Sequence, residues 1–318
     1  MSLSEFAIIN KYFSTCGNMR PDCLLGIGDD AALLRIADRD LVVTQDTLVA
    51  GVHFFHNAEP YGLGHKCLAV NLSDLAAMGA EPAWCTLAIT LPTADPNWLD
   101  AFARGFCQLA TSYGVQLIGG DTTKGPLMIS VTALGLTPKW QALRRSGATP
   151  HDHIYVSGNL GDAGLALYLL SENYTINDDI RQRLDMPTPR IALGLALRQI
   201  ASAAIDISDG IAADLDHILQ ASGNLGADVY LNQIPNSAAF ARHVTLEDQK
   251  LSFMNSGDDY ELCFTVPESR TVTITEISAK LHLKLTHIGN ISSEPGLRIH
   301  NKDGKLLSLH KNGYQHFT

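Results

Sequence analysis

The sequence predicts an α/β (α+β) protein of two domains, on three observations. Apolar runs of strand length alternate with segments of helical periodicity through both halves. The 318 residues suit two domains of ordinary size better than one growing core. A polar stretch containing Gly147 and Pro150, from Arg144 to Pro150, interrupts the alternation and divides the chain into residues 1–147 and 148–318.

The first half opens with an expected amphipathic helix from Ser4 to Phe13, then a glycine-rich approach to Gly26-Ile27-Gly28-Asp29-Asp30. Ala31 to Leu34 and Leu41 to Thr44 read as strands around a polar turn, with Asp46 just past the second. A helix from about Pro60 to Met78 is stopped by Gly79 and the Glu81-Pro82 step. Ala83 to Leu91 reads as a strand, Asn97 to Tyr113 as a helix, and Val115 to Ile118 as a strand ending at Gly119-Gly120-Asp121. Leu127 to Leu136 supplies one more strand.

In the second half Ile154 to Val156 is a strand candidate entering Ser157-Gly158-Asn159-Leu160-Gly161-Asp162 and a helix from Ala163 to Leu170. A polar excursion runs through Asp185 to a helix from Arg190 to Ile200. Ala203 to Ile205 is a short strand delivering Asp206 and Asp209, and Gly210 opens a helix from Ile211 to Leu219. Strands are expected over Asp228–Ile234, Tyr260–Val266 and Leu285–Ile291, helices over Leu246–Met254 and Ile274–Leu281, and a hairpin around Asp303-Gly304.

Composition narrows the function. With 46% hydrophobic and 18% charged residues the chain can bury a substantial core, which argues against global disorder. A formal charge of -10 opposes wrapping by nucleic acid or docking on an anionic membrane. No apolar run approaches the roughly 20 residues of a membrane span, and Met1-Ser2-Leu3-Ser4-Glu5 lacks a signal peptide's basic start, so the cytoplasm is the expected compartment. Cys16, Cys23, Cys67, Cys85, Cys107 and Cys263 form no CxxC pair and read as reduced structural thiols.

The chemistry-bearing pattern is aspartate beside glycine at element ends: Gly28-Asp29-Asp30, Thr44-Gln45-Asp46, Gly119-Gly120-Asp121, Asp206-Ile207-Ser208-Asp209 and Gly257-Asp258-Asp259. Carboxylates gathered from such loops repel unless cations lie between them, which points to a polymetal site for a phosphorylated substrate. Each aspartate taken alone is as readily a helix cap or a solvated turn. Asp74 differs, because it lies within a helix among Leu72, Leu75 and Ala76, on the same side as Asn71. Ser208 serves equally as a phosphate contact or a helix cap. Arg144, Arg145 and Lys66 are cationic candidates for phosphate, with surface charge as the plain alternative. The Gly158-to-Gly164 stretch lacks the Gly-Lys-Ser/Thr ending of a P-loop, and Ala31 stands where a dinucleotide fingerprint needs its third glycine.

The ordered motifs carry a family resemblance. Gly26-Ile27-Gly28-Asp29-Asp30-Ala31-Ala32, Gln45 to Phe54, Asn71 to Ala80, Gly119-Gly120-Asp121-Thr122, Asp206-Ile207-Ser208-Asp209-Gly210 and Gly257-Asp258-Asp259-Tyr260-Glu261-Leu262 resemble thiamine-monophosphate kinase, as does Asn312 to Phe317. The resemblance implies the two-domain aminoimidazole-ribonucleotide synthetase-like (PurM-like) fold, with a dimerising amino-terminal domain and a carboxy-terminal domain closing the site. It also implies ATP-dependent phosphorylation of thiamine monophosphate to thiamine diphosphate, with several magnesium ions, in a cytoplasmic homodimer that binds neither nucleic acid nor membrane.

By motif, the resemblance makes Asp29, Thr44, Gln45, Asp46, Asp74, Asp121, Asp206 and Asp209 magnesium positions. Gly120, Asp121, Arg145 and Ser208 fall on the nucleotide, and His53, Asp258 and Tyr314 on the substrate. Asp46, Asp121, Asp209 and Arg145 carry the catalytic role. Gln45 stands where the family often has Ser or Thr, and Asp258 where it usually has Glu. Another ATP-using enzyme of the same fold, a non-catalytic nucleotide or thiamine-phosphate sensor, and an interaction scaffold are the competing readings.

Overall fold

The computed structural model describes residues 22–26, 28–176, 178–308 and 313–314. The helix expected over Ser4 to Phe13 lies outside them, as do Cys16, Ile27, Asn312 and Gln315 to Phe317.

A six-stranded sheet organises the first half, in the order β1-β2-β3-β6-β4-β5. Its strands are β1 (Cys23–Leu25), β2 (Ala32–Ile36), β3 (Arg39–Val49), β4 (Glu81–Leu91), β5 (Gln116–Lys124) and β6 (Met128–Pro138). Only β4 and β5 run parallel, joined by a helical crossover. Two expectations are corrected here. Strand β3 continues past Thr44 to Val49 because it pairs with β6 along its whole length, so Asp46 sits inside a strand, opposite Val131. Likewise β5 runs on through Gly119, Gly120 and Asp121, since pairing with Thr86, Leu87 and Ala88 of β4 holds them extended. Gly120 is required there: a Cβ would fall 1.9 Å from the Leu87 carbonyl oxygen.

Two helices cover this sheet. Helix α1 (Pro60–Ala77) begins where the Glu59 carboxylate accepts the Tyr61 and Gly62 N–H groups and Pro60 takes the first turn. It stops at Gly79, whose φ of 60° is left-handed. Helix α2 (Pro96–Ser112) starts the same way, on an Asp95 cap followed by Pro96. The two helices cross with backbones nearly touching: a Cβ on Gly64 would lie 2.1 Å from the Phe102 oxygen, and one on Gly105 1.9 Å from the Tyr61 oxygen.

The second half builds a seven-stranded sheet in the order β13-β12-β9-β11-β7-β10-β8. Its strands are β7 (His153–Ser157), β8 (Ala203–Asp206), β9 (Gly226–Tyr230), β10 (Leu262–Val266), β11 (Leu285–Ser292), β12 (Gly296–His300) and β13 (Leu306–Leu307). The helices are α3 (Asp162–Ser171), α4 (Asp178–Asp185), α5 (Ile191–Leu197), α6 (Ile211–Ala221), α7 (Ala238–His243), α8 (Glu247–Met254) and α9 (Thr271–Leu281). Helix α4 replaces the expected polar excursion. Its composition is polar, but Ile180 and Leu184, four apart, bury one stripe against α3.

Helix α1 ties the halves together. It packs on β3, β6 and α2 and also reaches α5 and β8 of the second half. Most of its residues are buried, including Lys66, Asn71 and Ser73, so polar groups on it face partners rather than water. No helix among the described residues is long and apolar enough to cross a membrane.

Candidate active site

A cavity of about 1180 Å³ lies between the halves, walled by β3, α1, the turn after β8 and the loop before β10. Into it project Asp30, Asp46, Asp74, Asp206, Asp209, Asp214 and Asp258. The innermost three, Asp30, Asp74 and Asp206, place one carboxylate oxygen each within 4.8 Å of the others.

The fold puts each of them there for a local reason. Asp30 follows Gly28, whose φ of 125° turns the chain before β2. Asp74 is carried by α1 and accepts the Thr44 hydroxyl at 2.5 Å, joining helix to strand. Asp206 ends β8 and accepts the Ser73 hydroxyl at 2.7 Å, joining the halves. Asn71, one turn before Asp74, accepts the Asp46 N–H at 3.2 Å and so registers β3 against the helix.

Electrostatics show what this costs. Burial raises the Asp74 carboxyl well above the ordinary range, and the charges of Asp46, Asp206 and Asp30 add to the effect. Burial, then Asp30, pushes Asp206 up to about 8. Asp30 Oδ2 is buried with no hydrogen-bond partner among the described residues. A carboxylate with one orphaned oxygen, grouped with two more carboxylates, fits a hard divalent cation, which takes oxygen donors and cancels their repulsion.

Arg145 closes the cluster from the boundary segment. Its Nε donates to Asp30 Oδ1 at 3.0 Å, and its backbone N–H to Asp29 Oδ2 at 3.1 Å. The two members of the Asp29-Asp30 pair therefore part: Asp30 faces the cluster, while Asp29 holds the Arg145 backbone. Burial and the charge of Asp30 raise Asp29 to about 6.

Most sequence-nominated residues meet at this cavity. Thr44, Gln45, Asp46, His53, Asp74, Arg145, Asp206, Ser208, Asp209, Asp258 and Tyr314 all line it. Gln45 is turned aside, its side-chain oxygen accepting the Thr132 hydroxyl at 2.9 Å. His53 Nδ1 accepts the Val49 N–H at 3.0 Å, which folds the segment after β3 back on the strand. Tyr314 donates its N–H to the Asp209 carbonyl at 3.1 Å, docking this segment onto the loop after β8. Gly120 and Asp121 stand apart, exposed on β5 at the edge of the first sheet.

Two residues were not nominated. Asp30 had its signal in the adjacent acidic pair, but only the turn geometry tells which member points inward. Asp214 lies one turn into α6, and its carboxylate accepts the N–H groups of Asp209 at 3.1 Å and Gly210 at 3.0 Å. Burial and the charges of Asp209 and Asp206 raise it well above the usual range. In the Gly257-Asp258-Asp259 motif only Asp258 lines the cavity. Asp259 is buried and accepts the Gly161 N–H at 3.0 Å, so the glycine-rich loop before α3 binds a carboxylate of its own chain.

The AIR synthase related protein family models match the chain in two parts, the N-terminal domain over residues 28–137 and the C-terminal domain over residues 149–302. The thiamine-monophosphate kinase of Salmonella typhimurium is 46% identical, over 100% of this chain and 99% of its own length. The crystal structure of thiamine-monophosphate kinase from Stenotrophomonas maltophilia K279a matches with a TM-score of 0.81 and 46% identity, over 96% of this chain and 99% of that one. A second solved structure, AaThiL complexed with AMPPCP and TMP, matches with a TM-score of 0.85 and 29% identity, over 99% of this chain and 97% of that one. With relatives at this identity over its full length, the chain belongs to the thiamine-monophosphate kinase family.

Proposed function

We propose that this chain transfers the γ-phosphoryl group of ATP to thiamine monophosphate, yielding thiamine diphosphate and ADP. The observation that carries the reading is the convergence of Asp30, Asp74 and Asp206, drawn from both halves, in a cavity large enough for two phosphorylated ligands. A relative of the same fold, AaThiL, is solved complexed with AMPPCP and TMP, which supports a nucleotide and a thiamine phosphate sharing such a cavity.

In this reading Asp30, in place of its neighbour Asp29, would hold magnesium ions with Thr44, Gln45, Asp46, Asp74, Asp206 and Asp209, Gln45 through its backbone carbonyl, while Asp121, apart from this cavity on exposed β5, is left out of the set. Bound magnesium would screen the phosphates of donor and acceptor and draw charge off the transferring group. Arg145 and Ser208 contact the nucleotide, and His53, Asp258 and Tyr314 the acceptor. An ionised oxygen of the acceptor phosphate attacks the γ-phosphorus in line, and the bond to the ADP oxygen breaks. The acceptor is already an anion, so no strong general base is needed. Asp46, Asp209 and Arg145, which line the cavity, act by fixing geometry and field. The reading also takes residues 1–147 as the dimerising unit and 148–318 as the closing unit of a cytoplasmic homodimer.

Incubation with γ-labelled ATP tests it. Label recovered in thiamine diphosphate supports direct transfer; label on an enzyme carboxylate refutes it, and ATP binding without turnover favours a sensor. The D46A and D209A variants should fold yet lose magnesium-dependent turnover by about 100-fold or more. Near-normal rates in both would remove those roles.

A further inference from the structure

The cavity holds a cation that the assignments above leave unused. Lys66 is buried on α1, its side chain 6% exposed, and its ammonium donates to Asp258 Oδ2 at 2.9 Å. This ion pair crosses between the halves, from residue 66 to residue 258. An ammonium this buried needs a charged partner, and Asp258 supplies one at the rim, where its side chain is 28% exposed.

The loop bearing Asp258 is shaped for that contact. Gly257, Asp258 and Tyr260 all have positive φ, of 82°, 66° and 49°, and two of the three carry a Cβ that disfavours it. The strain is held by backbone bonds from Asp258 N–H to the Ser208 carbonyl and from Tyr260 N–H to the Ile207 carbonyl, both 2.8 Å. The half-buried Tyr260 phenol, on the cavity wall, is hydrogen-bonded to Asp258, and its proton is held by desolvation and by the charges of Asp258 and Asp46.

Charge balance gives Lys66 a task. Lys66 lines the same cavity as Asp46, Asp74 and Asp206, so its ammonium shares that space with their carboxylates. Arg145 is already bound to Asp29 and Asp30. An acceptor phosphate arriving between Asp46 and Asp258 would be repelled by both. The bond to Asp258 uses one of the three N–H donors of an ammonium.

Resting on the reading above, we infer that Lys66 binds the phosphate of thiamine monophosphate, and that Asp258 positions the ammonium rather than meeting the phosphate itself. A shorter carboxylate than the family's usual Glu serves this purpose, because its partner reaches it from a long side chain.

The test compares K66Q, K66R and D258N with wild type by titration calorimetry against thiamine monophosphate, thiamine and a non-hydrolysable ATP analogue, and by steady-state kinetics. K66Q should weaken thiamine monophosphate about 30-fold, the worth of one charge-assisted hydrogen bond, while thiamine and the analogue stay within about 3-fold. D258N should produce a smaller loss of the same phosphate-specific kind, and the double variant should bind no worse than K66Q alone. Should K66Q fail to fold, K66R must still lose more affinity for thiamine monophosphate than for thiamine. Equal weakening of all three ligands, or a K66Q affinity within about 3-fold of wild type, overturns the assignment. A wild type that makes no labelled thiamine diphosphate overturns the functional reading and this inference together; normal wild-type turnover with an unchanged K66Q overturns the role of Lys66 alone.

Discussion

Replacing Asp206 by Asn should stabilise the metal-free protein while removing its response to magnesium. Asp206 is pushed from an ordinary 3.8 to about 8, so at pH 7 the unfolded chain carries a charge that the native state must quench by taking up a proton. Asn pays no such penalty, and the linkage relation puts the difference at about 4 kcal/mol at pH 7. A second route agrees in size: two full charges at the 4.8 Å limit of the Asp30, Asp74 and Asp206 oxygens repel by about 3 kcal/mol at an effective dielectric constant of 20. Relaxation of the loop reduces both, and the Ser73 hydroxyl can donate to the Asn amide oxygen instead, which leaves a gain of about 2 to 3 kcal/mol. For 318 residues unfolding together this is about 3 to 4 °C in Tm. Calorimetry in EDTA at pH 7 reads it directly. Saturating magnesium should then close the gap, since wild type gains about 3 kcal/mol at a hundred times Kd and D206N has lost a ligand. A D206N variant that is destabilised in EDTA, or that keeps the wild-type magnesium shift, refutes the argument.

Three further outcomes follow from the same structure. Between pH 6.5 and 8 the metal-free wild type should lose about 1 to 2 kcal/mol relative to D206N, because native Asp206 keeps a proton that the unfolded chain has released; this relative loss ends above about pH 8. His65, His153 and His217 are held below 6.5 by burial and act in the opposite sense until the unfolded imidazoles finish titrating, so the Asp206 share is read as the difference between wild type and D206N in denaturant titrations across this window. G105A should cost about 3 kcal/mol, because its Cβ would sit 1.9 Å from the Tyr61 oxygen and force α1 from α2; a loss under about 1 kcal/mol in calorimetry contradicts the close crossing. E261Q should cost about 3 kcal/mol or more in guanidinium unfolding, since Glu261, 1% exposed, is the shared partner of Arg183 and Arg190, and a neutral amide strands both; an unchanged midpoint refutes this.

Much of the fold was legible because the cues are local. Pro60 after Glu59, and Pro96 after Asp95, mark helix starts by supplying a cap and a fixed φ, and both helices begin there. Helix α4 escaped because its buried stripe is only Ile180 and Leu184 among acidic and basic residues, a signal that needs the packed neighbour to be read. Gly119-Gly120-Asp121 looked like a turn by composition, yet the carbonyl of Leu87 needs a glycine beside it and pairing with β4 keeps the segment in the sheet.

Acidic residues and their chemistry are properties of the chain, and a repeated glycine-aspartate pattern identifies them without any contact being known. Their distances are not, because a carboxylate's direction depends on strand register, turn geometry and the side of a helix that is buried. Hence the sequence determined which aspartates, set beside glycines at element ends, are available for phosphate chemistry. Only the tertiary structure decided that Asp30 rather than Asp29 faces Asp74 and Asp206, that Asp214 secures the Asp209 turn, and that Lys66 meets Asp258 across 192 positions of chain. The physical reason is the range of the forces: helix caps and turns act over a few residues, whereas charge pairing and burial act through space and wait for the fold to bring their partners together.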